Sequence, residues 1–404
     1  MRVLHVITAI PPVSGGPTSV LRALTAAQVV AGLQVAVCTS DRDNPGSREL
    51  DTKILRQLLV AEVELQAFAC EWSGPVLSLS MRRWLRAHIS EFDLVHVHGL
   101  YRFPPSYAAW LAHRRGVPII IRPHGNLDPF LYRQSSRSLL LKRLWERWFD
   151  LPNLHGASAI HYTSEDERER ASFLKLRAPS FVVPNGLEWA RFASPPARGA
   201  FRARLGIGDA PLVLFLSRLN FKKGLDLLVP AFARVRARYP DAVLAIVGPD
   251  NEGYGAKVRG WVAEQGLVDA VRFVDHIEGE QVLQAYVDAD VFALPSYTEN
   301  FGMVVAESLA CGTPVVISDQ VNIHREVSGA GAGLVTRCDA GEVAAALCTL
   351  LADAPRRAAM GAAGRALVQR IWTWDVVAKQ LTAEYERVIE RHHNNARGDQ
   401  GRRQ

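Results

Sequence analysis

The chain has 404 residues, more than one hydrophobic core usually holds, so two domains of about 150–200 residues each are expected. Hydrophobic residues make up 48% and charged residues 22%, which excludes a disordered chain, and no run of 18 apolar residues could cross a bilayer. The formal charge of +6 points to anionic partners, whether nucleic acid, phosphorylated small molecules or an anionic membrane face.

The start, MRVLHVITAI, lacks the long apolar region and cleavage site of a signal peptide and reads as a first strand. Short β-branched runs at 3–8, 35–39, 94–98, 119–122, 157–162 and 181–184 alternate with amphipathic stretches such as 20–31 and 107–115. That alternation predicts βαβ units and a parallel sheet. Segment 194–198, with Pro195-Pro196, breaks the pattern and reads as a linker. A second alternation follows, with strands at 212–217, 243–247, 271–274, 291–294 and 314–318 and helices at 224–238, 256–264, 281–288 and from about Gly302. It predicts a second doubly wound domain, in which the loops at Ser217, Gly248 and Pro295 converge beyond the strands' carboxyl ends. The polar tail from Arg391, RHHNNARGDQGRRQ, is expected to be disordered. The five cysteines, Cys38, Cys70, Cys311, Cys338 and Cys348, are scattered without a CxxC pair and read as small core residues in a reducing cytosol.

Two segments carry chemistry. Ser217-Arg218-Leu219 ends a strand and Lys222-Lys223-Gly224 opens the next helix, gathering cations where backbone N–H groups point outward; a diphosphate fits there. Further on, Thr298-Glu299-Asn300-Phe301-Gly302-Met303-Val304-Val305-Ala306-Glu307 sets two glutamates eight residues apart, one in a loop and one in the following helix. Loop amides at Asn300, Phe301 and Gly302 can donate to sugar hydroxyls, and a carboxylate can accept from the paired hydroxyls of a ribose.

With these motifs and the trailing Ala310-Cys311-Gly312-Thr313-Pro314-Val315-Val316, the chain resembles the group-1 retaining glycosyltransferases, often called family 4. Their GT-B fold sets two Rossmann-like doubly wound α/β domains facing across a cleft. The resemblance spans nearly the whole chain and is weakest over 41–92. It implies that Arg218 and Lys223 neutralise the donor diphosphate, with Lys222 beside them. Glu299 would engage the transferred sugar, with Phe301, Gly302 and Asn300 beside it, and Glu307 would hold the ribose. Gly15 and Gly16 would offer amides near the diphosphate, and His124, in Ile121-Arg122-Pro123-His124-Gly125, would face the sugar from the opposite wall. Asn185 reads as structural. The segment from Trp372-Thr373-Trp374-Asp375 matches a helix that crosses back in this fold, so the domains are expected at 1–193 with 374–390, and at 194–373, hinged for closure.

The expected activity is transfer of a hexose-type sugar, with retention, from a nucleotide-diphosphate sugar to a glycan or lipid-linked acceptor. Stretch 122–133 resembles bacterial enzymes that build surface polysaccharides such as lipopolysaccharide. No cofactor and no metal is expected, since Arg218 and Lys223 supply the charge a metal would. Asp41-Arg42-Asp43 and Asp288-Ala289-Asp290 satisfy the metal-binding Asp-x-Asp pattern, but three-residue matches arise by chance. His96 and His98 lack an adjacent third ligand and read as strand-end packing. Leu141, Leu144, Trp145, Trp148 and Phe149, interleaved with Lys142, Arg143 and Arg147, fit either a helix packed on the first domain or a surface meeting anionic lipid. Trp84 with Arg82, Arg83 and Arg86 carries the same ambiguity. A cytoplasmic enzyme, peripheral at the inner face of the plasma membrane and binding no nucleic acid, is the resulting expectation. The alternatives are a same-fold epimerase or phosphorylase, or a non-catalytic nucleotide- or nucleic-acid-binding protein.

Overall fold

The computed structural model describes residues 1–11, 16–42, 50–72, 74–132 and 137–401, with side chains except at 137–139 and 396–401. The chain divides into two compact units, Met1–Gly186 with Trp374–Gln404, and Leu187–Thr373.

Unit 1 is built on seven parallel strands, β1 (Arg2–Ile7), β2 (Gln34–Ser40), β3 (Glu64–Phe68), β4 (Leu94–His98), β5 (Ile119–Arg122), β6 (Ala159–Tyr162) and β7 (Ser180–Val182). Their order, β3-β2-β1-β4-β5-β6-β7, reverses between β1 and β4. A helix follows each of β1 to β6, as parallel pairing demands. Leu4, Val6, Val95, Val97, Ile119 and Ile121 form the sheet side of the core, with Leu85, Ala108 and Leu111 packed on it from the helices. The Phe103–Arg115 helix begins with proline in its first turn and ends at Gly116 with φ 66°, the usual proline-start and glycine-stop asymmetry.

The last helix, Trp374–Gly401, belongs to unit 1. The Trp374 ring occupies the space a side chain at Gly186 would need. Tyr385 is buried, and its hydroxyl accepts from Gln28 Nε2 on the Pro17–Val30 helix at 3.0 Å. The tail expected to be disordered continues this helix to Gly401. His392 holds it past Arg391 through Ser158 Oγ (3.3 Å) and Gly116 O (3.0 Å).

Unit 2 has six parallel strands, β8 (Leu212–Leu216), β9 (Val243–Val247), β10 (Val271–Val274), β11 (Val291–Leu294), β12 (Val315–Ser318) and β13 (Gly333–Thr336), in the order β10-β9-β8-β11-β12-β13. Against them the Leu225–Arg238 helix buries Leu225, Leu228, Val229, Phe232 and Val235, one apolar stripe of period 3.6. The unit begins before the expected linker. Leu187 bridges Thr373, Phe192 lies in the second core, and Arg198 binds Asp290, so 194–198 sits inside unit 2.

Candidate functional site

β8 and β11 are neighbours where the strand order of unit 2 reverses, and the loops beyond their carboxyl ends flank the crevice that such a switch point opens. Ser217 N donates to Val247 O and Leu219 N to Pro249 O, both at 3.0 Å, fixing the first loop to the end of β9. Two glycines permit close approach. A Cβ at Gly248 would overlap the Ser217 carbonyl and one at Gly224 the Pro295 carbonyl, and both residues have positive φ, 138° and 71°. The turn Phe221–Lys223 therefore lies directly on the β11 loop, where Tyr297 N donates to Lys222 O at 2.8 Å.

That contact brings Lys223 to Glu299. Their Nζ and Oε2 form an ion pair with only 15% and 19% of each side chain exposed. Glu299 is held from behind, its N–H donating to Gln320 O (3.1 Å) and its carbonyl accepting from Asn322 N (3.0 Å). Arg218 is exposed, at the end of the same loop. Asn300 precedes Phe301, which is buried edge-on against Trp372 at 5.4 Å. Gly302, with φ 80°, caps the Met303–Ala310 helix. Among the described residues none accepts from the amides of Phe301 and Gly302, so they remain donors at a helix N-terminus. Glu307, on that helix, accepts from Tyr286 Oη–H at 3.1 Å. Burial raises its carboxyl above the usual range, against the opposing effects of the Tyr286 hydrogen bond and Arg191.

The remaining candidates lie in unit 1. Gly15 falls outside the described residues. Gly16, with φ 67°, caps the Pro17–Val30 helix, and its carbonyl accepts from Val20 N. His124 follows β5 in the left-handed region, φ 54°, unusual for a residue with a side chain. Buried Arg122, just before it, donates to Asn185 Oδ1.

Glu167 is a residue the motifs did not reveal. Its Oε1 accepts from Gly125 N (2.7 Å) and its Oε2 from Thr163 N (2.7 Å) and the Thr163 hydroxyl (2.8 Å), so it pins the His124-Gly125 loop. The signal was Ser164-x-x-Glu167, a capping-box spacing; Ser164 Oγ does accept from Glu167 N at 3.1 Å.

Asp288 and Asp290 prove occupied. Asp288 accepts from the amides of Gly199, Phe201 and Arg202, and Asp290 binds Arg198, Arg202 and Leu212 N. Burial alone would raise Asp290, but these partners bring it below the usual carboxylate range. Asp41 accepts from Cys70 N, and Asp43 lies outside the described residues. His96 and His98 do have a third imidazole nearby: His5 on β1 comes within hydrogen-bond reach of His98, bringing three ring nitrogens within 4.8 Å of one another. β1 pairs with β4, a register invisible in the motif itself.

Trp84 is packed, stacked on His88 at 4.9 Å and touching Phe68 and Phe92. The 141–149 segment is packed on one side only: Trp145 is half-buried and donates to Ser106 Oγ at 3.0 Å and Glu146 is buried, while Leu141, Leu144, Trp148 and Phe149 are 69%, 47%, 71% and 51% exposed.

Residues 15–186 match the family described as glycosyl transferase 4-like domain, and residues 198–367 the glycosyl transferases group 1. A GDP-mannose-dependent alpha-(1-6)-phosphatidylinositol monomannoside mannosyltransferase of Mycolicibacterium smegmatis is 36% identical over 230 residues, covering 54% of this chain and 59% of that protein. The chain thus spans less than two thirds of this relative's length. The protein of the same description from Mycobacterium tuberculosis is 31% identical over 319 residues, 76% of this chain and 79% of its own length. Among solved structures, sucrose-phosphate synthase from Thermosynechococcus elongatus matches with a TM-score of 0.75 at 23% identity, over 96% of this chain and 99% of that one. With the switch-point loops in place and both halves matched, the chain belongs to the group 1 glycosyltransferases, enzymes of the GT-B fold.

Proposed function

We propose that this chain transfers a hexosyl group, with retention and without a metal, from a nucleotide-diphosphate sugar to a glycan or lipid-linked glycan at the cytoplasmic face of an anionic membrane, in surface-glycan assembly. The observation that carries this reading is the grouping of Arg218, Lys223, Glu299, two donor amides and Glu307 at the β8/β11 switch point. As the anomeric bond breaks, negative charge grows on the departing diphosphate, and Arg218, Lys223 and the Phe301 and Gly302 amides stabilise it. The diphosphate takes Lys223 from Glu299, which frees that carboxylate to accept from sugar hydroxyls. Glu307 accepts from the ribose. The family resemblance would have His124 contact the transferred sugar and Gly16 offer its amide to the diphosphate.

Asp288 and Asp290 are engaged with backbone amides and arginines, which supports leaving charge neutralisation to Arg218 and Lys223. The relatives' names make GDP-mannose the first donor to try. Turnover should survive EDTA, and proton NMR of the new linkage should show the donor's anomeric configuration. Dependence on Mn²⁺, or an inverted linkage, would overturn this reading.

The membrane face is supported by the 141–149 segment, whose exposed Leu141, Leu144, Trp148 and Phe149 are interleaved with exposed Lys142, Arg143 and Arg147. Each such cation near an anionic surface contributes about 1 kcal/mol. Replacing all three with Ser should therefore weaken binding to anionic vesicles on the order of 100-fold. Unchanged partitioning would remove the membrane from the proposal.

A further inference from the structure

Five buried or half-buried histidines of unit 1 are joined, through Gln28 and Tyr385, into one hydrogen-bonded series that ends at His124. Its direction follows from the Val183 carbonyl, which can only accept. His161 therefore donates to it from Nε2, at 2.8 Å. A neutral imidazole has one donor and one acceptor, so His161 Nδ1 accepts from His96 Nε2 at 3.4 Å. His96 Nδ1 then accepts from the Tyr385 hydroxyl at 2.6 Å. That hydroxyl accepts from Gln28 Nε2 at 3.0 Å, and Gln28 Oε1 accepts from His5 Nε2 at 2.8 Å. His5 Nδ1 accepts from His98 Nε2 at 2.9 Å, and His98 Nδ1 accepts from His124 Nε2 at 3.1 Å. Each link fixes the next, and the series leaves a lone pair on His124 Nδ1, which bonds to no described residue.

Running the series the other way requires the Gln28 amide to turn over and Tyr385 to accept from His96. His161 would then have to donate from both nitrogens, as a buried cation. Burial first, and then the Arg122 guanidinium, hold His161 well below its ordinary pKa, and the same two causes act on His96, His98 and His124. The other charged group at this end, Glu167, is spent on Gly125 and Thr163.

We infer that this series fixes His124 as its Nε2–H tautomer and so makes Nδ1 an acceptor for a hydroxyl of the donor sugar, with His98, Gln28 and Tyr385 as positioning residues. The inference rests on the reading of His124 as a sugar contact. It gives the closing helix a part in the chemistry, since Tyr385 sets the tautomer of a loop residue it does not touch. It also commits the site to a sugar carrying a hydroxyl at that point; a deoxy sugar would leave a buried-side acceptor unpaired, a large penalty for a site built around a hydroxyl.

A divalent metal on His5, His96 and His98, whose ring nitrogens lie within 4.8 Å of one another, would break the series, and the neighbouring Arg122 disfavours added positive charge. The two arrangements are separable by experiment. The protein labelled with ¹⁵N-histidine should show His124 with a pyridine-type Nδ1 and a protonated Nε2, its signals assigned by their loss in His124→Asn. In Tyr385→Phe the His124 signals should become those of mixed tautomers, while kcat with nucleotide sugar falls about three- to tenfold and donor KM changes little, the size expected of one hydrogen bond. Gln28→Met interrupts the series elsewhere and should act alike, which keeps the test open if one variant fails to fold. An Nδ1–H or doubly protonated His124 in the parent, tautomers unmoved by both variants, or Zn²⁺ shifting the His5, His96 and His98 nitrogens would each overturn the inference. Tautomers that shift as described without any change in turnover would instead sink the sugar-contact role of His124, leaving the positioning series intact.

Discussion

Lys223 and Glu299 are the residues on which the donor site turns, because without donor they neutralise each other. Removing Lys223 takes a cation from the diphosphate and also leaves a carboxylate facing it. Lys223→Ala should therefore lower kcat/KM by about 10²–10³, as loss of a transition-state charge partner does. Adding Glu299→Ala to that variant should restore part of the donor affinity, so the two changes should be non-additive by about 1 kcal/mol or more in a double-mutant cycle of donor binding. Strict additivity would mean the pair does not govern binding. Glu307→Ala should act mainly on affinity, through the ribose. The motif residues were legible because they lie in two short continuous segments, each a loop and the start of the helix that follows it. The Lys223–Glu299 pair was not, since 76 residues separate its members and they meet through the Gly224–Pro295 approach and the Tyr297–Lys222 hydrogen bond. The same holds for Glu167 and for His5, whose partners come from other strands and loops.

At the level of elements, the approach of two loops through Gly224 makes a sharp prediction. A Cβ there would overlap the Pro295 carbonyl, at a backbone φ of 71° that side chains disfavour. Gly224→Ala should destabilise unit 2 by about 1–3 kcal/mol, the usual cost of strain at such a position, and should also separate Lys223 from Glu299. Urea denaturation and donor binding together check this; a variant as stable as the parent would contradict the close approach. Strands buried on both faces, such as β9 with every residue buried, were legible as apolar runs. β3 and β13 were not: β3 alternates Glu64 and Gln66 with apolar residues and has no fully buried position, and β13 is a four-residue run that opens on Gly333 with its middle residues only half-buried. The 141–149 segment was readable as amphipathic, but periodicity alone does not say whether an apolar face is packed; its exposure decides that.

For the whole molecule, the histidine-rich interior of unit 1 ties stability to pH. Burial, and after it other influences including Arg122, lowers His5 from 6.5 to about 4 and holds His96, His98, His124 and His161 well below 6.5. The unfolded chain then binds more protons than the folded one, so these groups stabilise fully above pH 6.5 and lose that contribution as pH falls from 6.5 towards 4. Buried Glu146, Asp150 and Glu167 are raised, Asp150 to about 6, and push the other way as they take up protons. Five histidines outweigh three carboxyls, at about 1.4 kcal/mol per pH unit for each net proton. The urea midpoint of unit 1 should thus fall steeply between pH 6.5 and 5; a flat midpoint would contradict the neutral histidine series. The two-unit division was visible in the two runs of alternation, while the first crossing point, Gly186–Leu187, lies before the expected 193/194 boundary because Leu187 bridges Thr373 and packs in unit 2.

On the proposed reading, the β8/β11 loops of unit 2 bind a nucleotide sugar by charge and hydroxyl contacts without a metal. Calorimetric titration of GDP-, UDP- and ADP-sugars in the presence of EDTA, into the parent, Lys223→Ala and Glu307→Ala, tests it most directly. One nucleotide sugar should bind the parent, with both variants much weaker and their thermal unfolding unchanged. Binding to no nucleotide sugar, or equal affinity in all three proteins, would contradict the account.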